Sequence, residues 1–208
     1  MAYPIGNFAS NDLSETNSGF ASQGFNLKFE HKYPVKKYIE LVMQFNYISN
    51  PINSRSLKNY IELSLPPGAL LNFNTGEWKQ TMFLLGFNSK VYMKSSPIGF
   101  NARILMGANS TSNPEIIYSY LQYGTQRKSE TFISPTVGFA YQLGAGLQIS
   151  LSNKFDLNYN TYYSGSMVEF VGVLTNVSQK GRSVSSTKTS FKQDLSSILV
   201  TFGITFTP

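Results

Sequence analysis

The chain contains no cysteine, which excludes a disulfide framework and any thiolate metal site and leaves the fold to backbone pairing and packing. Charge is scarce too: Asp, Glu, Lys and Arg make up 13% of the 208 residues, leaving little to solvate an ordinary globular surface. No segment approaches the roughly 18 consecutive apolar residues needed by a membrane-spanning helix, so any contact with a bilayer must be made by strands. Histidine occurs once, at His31, on the apolar side of its segment beside Tyr33. No Gly-x-Ser-x-Gly elbow, phosphate loop or His-Glu-x-x-His helix is found. A general base needs a positioned partner, so no enzyme, cofactor or metal site is expected. Lys and Arg number 17 against 11 Asp and Glu, but they are scattered and form no basic stripe, which argues against nucleic acid. The opening Met1-Ala2-Tyr3-Pro4-Ile5-Gly6 has neither a basic leader nor an apolar stretch. A signal peptide is therefore expected either to have been removed or to lie upstream of Met1.

What the chain has is aromatics and turn formers: 16 Phe, 13 Tyr and 1 Trp beside 16 Gly and 9 Pro, a mixture that favours strands over helices. A strand sends successive side chains to opposite faces, so its two environments are written in odd and even positions. Over residues 137–152 the odd set is Val137, Phe139, Tyr141, Leu143, Ala145, Leu147, Ile149 and Leu151, while the even set is small or polar throughout. The same alternation marks residues 25–33, 39–47, 83–93, 100–107, 155–164 and 197–206, with Leu199 the exception in the last. Residues 2–8, interrupted by Pro4, suggest a short eighth strand. Short turns are expected at Pro34-Val35-Lys36, Ser95-Ser96-Pro97 and Ser152-Asn153-Lys154, and long loops over residues 7–23, 49–78, 109–134 and 165–193. Tight turns alternating with long loops is the layout of an outer-membrane barrel, with turns on the periplasmic side and loops outside.

A soluble up-and-down barrel would show the same period with its apolar face turned inward. Its polar face would then meet water and carry many Lys and Glu, whereas Gly138, Ala140, Gln142, Gly144, Gly146 and Gln148 are uncharged and small. Such residues suit a crowded interior, and the bulky set is too large to pack inside eight strands. Tyr33, Tyr38, Tyr47, Tyr92, Tyr162 and Tyr163 lie near expected strand ends, where an amphipathic ring suits a bilayer interface. The expected inward face also carries Lys28, Glu30, Glu40, Lys90, Arg103 and Asp156. Buried charges must pair, so these six are expected to form a structural polar plug, with a proton or solute path as the alternative. In the loops, Leu70-Leu71-Asn72-Phe73 and Ile116-Ile117-Tyr118-Ser119-Tyr120 gather apolar groups. Lys180, Arg182 and Lys188 are candidates to bind an anionic partner or lipid head groups. The Ser and Thr density of residues 183–190 suggests a mobile solvated loop.

Pro4-Ile5-Gly6-Asn7-Phe8-Ala9, followed by Gly19-Phe20-Ala21 and Gly24-Phe25, and the closing Phe202-Gly203-Ile204-Thr205-Phe206 resemble the small outer-membrane β-barrel-domain proteins of Bacteroidetes-type bacteria. The resemblance covers essentially the whole chain. It implies one all-β domain over residues 1–208: an antiparallel up-and-down transmembrane barrel of about eight strands in the cell outer membrane of a Gram-negative envelope. The family is united by fold more than by activity, so the function implied is structural or surface-binding, through the long outer loops. The partners expected are outer-membrane lipid and, beyond it, another outer-membrane protein. A narrow pore, an accessory subunit of a larger outer-membrane complex, and a soluble lipocalin-like lipid carrier are the alternatives. Family members carry most of a first strand ahead of the Pro-Ile-Gly element, which here is missing, and the chain ends Thr207-Pro208 instead of on an aromatic residue. The first strand therefore reads as truncated. Its missing pairing is expected to come from a shifted register, a disordered edge or another polypeptide, with an upstream half-strand in the native protein.

Overall fold

The computed structural model describes residues 1–12, 18–93, 96–122, 125–152, 154–180 and 182–207. Among these the fold is all-β apart from one α-helix and one 3-10 turn. Six long strands form an antiparallel up-and-down sheet in the order β2 (Phe25–Lys36), β3 (Ile39–Pro51), β5 (Glu77–Tyr92), β6 (Ile98–Ser112), β9 (Thr136–Ser150) and β10 (Phe155–Gln179). The lower half of β10 then pairs with β12 (Ser197–Phe206), and β12 pairs with β1 (Ala2–Pro4). Ala2 in turn bridges Gly24, immediately ahead of β2. The sheet thus curls until its two edges meet, but only at one end.

Alternation produces this arrangement for the reason read from the sequence. Phe83, Phe87, Phe139 and Leu143 project outward and are exposed, while Gln44, Gln80, Leu84, Leu105 and Gln142 project inward and are buried. Inward side chains touch across strands that are not neighbours. The Gln44 amide on β3 donates to Gln142 Oε1 on β9 at 2.8 Å, and Ser164 on β10 reaches Met82 on β5. Leu199, the odd residue of its strand, joins Val42, Ile48, Met82, Leu84, Leu105 and Tyr162 in an apolar layer inside the curl. Gly144 makes room there: a Cβ would lie 2.2 Å from the Tyr162 ring and 2.9 Å from the Thr161 carbonyl oxygen. Gly144→Val should therefore destabilise the fold by about 1–3 kcal/mol through overpacking. Gly203→Ala, where a Cβ meets nothing within 4 Å, should change stability by less than about 0.5 kcal/mol. Urea midpoints of the two variants check this, and equal losses would contradict the packing.

The structure corrects the expected loops. Twelve strands are present among the described residues, four of them in segments read as loops. Residues 49–78 contain the helix α1 (Ser54–Ser64) and the strand β4 (Leu70–Thr75); residues 109–134 contain β7 (Ile116–Gln122) and β8 (Thr125–Phe132). Residues 165–193 form a long hairpin in which β10 continues against β11 (Arg182–Asp194). Residues 183–190, read as a mobile loop, are thus paired strand. Both faces of β11 are largely in water, so no alternation marks it, and its order comes from the backbone ladder to β10. The first turn is also displaced. Pro34 and Lys36 belong to β2 at a register shift, and Lys37-Tyr38 makes the turn. Proline is tolerated in an edge strand or at a bulge, and Pro34 has both. In the other two turns Ser96 and Pro97, and Ser152 and Lys154, follow the expectation, while Ser95 and Asn153 lie outside the described residues. Residues 2–8 hold only the three-residue β1 before a 3-10 turn at Gly6–Phe8.

Candidate functional site

Two groups of polar side chains occupy the inside of the curl toward its turn end. Period two along β2 puts Lys28, Glu30 and Lys32 on its inward face. Arg103 reaches Glu30 from β6, giving Glu30 three cationic partners: Lys28 at 3.1 Å, Lys32 at 3.1 Å and Arg103 at 2.7 Å. Lys28 also donates to the Tyr162 hydroxyl at 2.6 Å, and both it and Arg103 lie over the Tyr162 ring. The Arg103 side chain is fully shielded, yet its Nε and Nη2 have no hydrogen-bond partner among the described residues. In the second group Glu40 pairs with Lys90 and accepts from Asn88, while Gln148 donates to Asp156 at 2.7 Å and to Tyr92 at 2.8 Å. The six charged residues singled out from the sequence thus fall into two neighbouring groups. Lys32, the unnamed member, was legible from the same period as Lys28 and Glu30.

One of the tyrosines read as interfacial does not lie on the outside. Tyr162 is buried inside, whereas Tyr92 is exposed at its strand end, where its hydroxyl accepts from Gln148. Alternation along the strand decides the face, so for Tyr162 parity is a stronger signal than closeness to a strand end. Tyr33 and Tyr38 are exposed at the turn end. Beside these groups a cavity of about 1050 Å³ opens between β2 and the far half of β12, lined by Lys28, Glu30, Lys32, Asn158, Thr201 and Gly203 among others.

The loop end is closed by a second apolar core. Trp78 lies edge-on to Phe8 at 5.6 Å and against Phe170 at 6.0 Å, and its indole N–H donates to the Gly19 carbonyl at 2.8 Å. Leu57 and Ile61 of α1 join it from one helix face, and Leu71, Phe73, Ile116 and Tyr118 pack from β4 and β7. The helix starts because the Asn53 side chain accepts from Ser56 N at 3.2 Å, satisfying an otherwise orphaned donor. Above the core the β10–β11 hairpin projects. Lys180 adopts φ 51° at its tip, Arg182 begins the return strand, and Lys188 is placed lower on β11, opposite Leu174. All three are exposed and do not form one cluster. Arg127 and Lys128 on the adjoining β8 stand opposite Gln179 and Ser178, so the tip gathers more cations than the sequence suggested; only strand pairing could bring them there.

Comparison of the chain with models of known protein families, with curated proteins and with solved structures finds no match.

Proposed function

We propose that this chain is a transmembrane β-barrel of the outer-membrane type, anchoring a structured cap whose basic hairpin tip contacts an anionic partner outside the cell. The observation that carries the reading is the belt of large apolar side chains on the outward face of every long strand of the curled sheet: Leu27, Phe45, Phe83, Ile104, Leu143 and Leu157 are all exposed. A soluble surface has no use for a contiguous apolar band of this extent, and lipid does. Strands suit that role because they satisfy their backbone groups against one another. Among the described residues no helix is long and apolar enough to cross a membrane.

The interior favours an anchor over a pore or a lipid carrier. Gln44 and Gln142 bond across it, Asn109 donates to Gln80 at 3.1 Å, and the Trp78 core covers the loop end. A lipid carrier needs an enclosed apolar cavity, whereas the inward side chains of this open one include Lys28, Glu30, Glu40, Lys90 and Asp156, and Leu27, Phe29, Phe202 and Ile204 line it from its rim. At the tip Lys180 and Arg182, with Arg127 opposite Gln179, supply the charge for an anionic ligand, while Lys128 is paired with Glu130 and Lys188 lies lower on β11.

Expressed with a secretion signal in a Gram-negative host, the protein should fractionate with outer membranes and migrate differently in detergent gels before and after heating. Recovery as a monomer from the soluble fraction without detergent would remove the reading.

A further inference from the structure

The sheet of the cap sorts its charges by face. Residues directly opposite one another in antiparallel strands point to the same side, so the pairings of β7, β8, β10 and β11 define rows. At the tip one row runs Tyr120, Arg127, Gln179, Arg182, each opposite the next. Lys128 and Glu130 alternate with Arg127 along β8, so they lie on the other face, where they pair with each other. Glu130 is the one carboxylate in β4, β7, β8, residues 174–179 of β10 and residues 182–188 of β11. The face of Arg127 and Arg182 therefore carries two guanidinium groups and no acid. Among the described residues neither arginine has an ion-pair partner.

The two ends of this face differ. At β4 and β7 it is covered, because Leu71, Phe73, Ile116 and Tyr118 pack on the Trp78 core. At β8 and β11 Arg127 and Arg182 are exposed, with Gln179 partly buried between them. Strand spacing puts the Cα atoms of the two arginines about 10 Å apart across β10. Side chains at that separation can close on one oxyanion above Gln179, each presenting a planar pair of N–H donors. Below this row, across β8, β10 and β11, the same face carries Ser129, Val177 and Ser185 and then Thr131, Thr175 and Thr187. All but Val177 are hydroxyl side chains.

We propose that this face of the tip binds an acidic polysaccharide, seating a carboxylate or sulfate group between Arg127 and Arg182 and laying the adjoining sugar ring against Tyr120. The proposal rests on the reading of the tip as a contact for an anionic partner and names the class of that partner. A protein partner is disfavoured because protein interfaces centre on buried aromatic and apolar anchors, which this end of the face lacks. Nucleic acid calls for a series of cations along its phosphates, and here two arginines give way to rows of hydroxyls. Those hydroxyls match a ligand that is itself polyhydroxylated. Tyr120 offers an apolar ring to the C–H side of a sugar and a phenol to its oxygens.

The test uses the full chain in mild detergent, immobilised, and reads the binding of polygalacturonate, dextran sulfate, neutral dextran and polyglutamate of matched length. The two acidic glycans separate a carboxylate ligand from a sulfate one. We expect at least one of them to bind tenfold or more tightly than neutral dextran and than polyglutamate. Arg127→Gln and Arg182→Gln should each weaken that binding about tenfold and Tyr120→Ala several-fold, while Lys128→Gln on the opposite face should change it less than twofold. Polyglutamate binding as tightly as the glycans would overturn the glycan assignment and leave the tip a contact for anions. No binding of any acidic polymer would overturn both readings. Equal losses in Lys128→Gln and Arg127→Gln would overturn the site, since charge alone would then account for the binding. The polymer comparison on the unaltered chain decides the class even if a variant misfolds.

Discussion

Leu143→Arg should weaken folding into lipid by about 2–4 kcal/mol, the cost of a cation near mid-bilayer on the lipid side of a barrel strand. Leu143 lies mid-strand on β9, opposite Ile104 on β6 and Tyr163 on β10, with 45% of its surface exposed. On a protein whose outward face meets water, the same change would fall within about 0.5 kcal/mol. Val184→Arg supplies the internal control. Val184 is more exposed still, at 62%, but lies on β11 in the projecting hairpin, where arginine should be neutral. Urea unfolding of both variants from liposomes measures the difference. Equal tolerance would mean that the belt does not face lipid.

Glu30→Gln should cost about 3–5 kcal/mol, because removing one partner of a buried ion pair leaves its counterpart uncompensated. Here one carboxylate serves three cations, and the change would strand Lys28, Lys32 and the fully shielded Arg103 together. Arg103→Met should cost much less. It removes a guanidinium with two unpartnered nitrogens and leaves Glu30 with both lysines. The asymmetry between the two variants in equilibrium unfolding is the decisive quantity, and matched losses would contradict the assignment of Glu30 as the shared counterion.

The parts of this molecule that were readable in advance are those where two environments lie on opposite faces. β2, β3, β5, β6, β9, β12 and the lower half of β10 separate an apolar outside from a packed inside, so their side chains alternate and their positions follow. β11 has water on both faces, and its Ser and Thr run carries no such signature. The helix α1 was missed for a different reason. Its signal is short: a cap at Asn53, an i,i+4 pair at Leu57 and Ile61, and the stop at Pro66-Pro67, set in a segment read as a loop. The inward charges were legible as parity but their partnerships were not. Nothing in linear order places Arg103 against Glu30, which are 73 positions apart, or Trp78 against Gly19, and only the curl of the sheet brings them together.

β10 belongs to two sheets at once. Its lower half lies between β9 and β12, and its upper half between β11 and β8. The last exposed apolar residue of β10, Leu174, is separated from Gln179 at the tip by about five residues, or about 17 Å of extended chain at the usual rise of a strand. Charge is screened over about 8–10 Å at physiological ionic strength. On the membrane reading, Lys180 and Arg182 therefore stand out of electrical reach of the phosphates in their own bilayer. An anionic partner approaching from the medium therefore meets these cations before any lipid phosphate does.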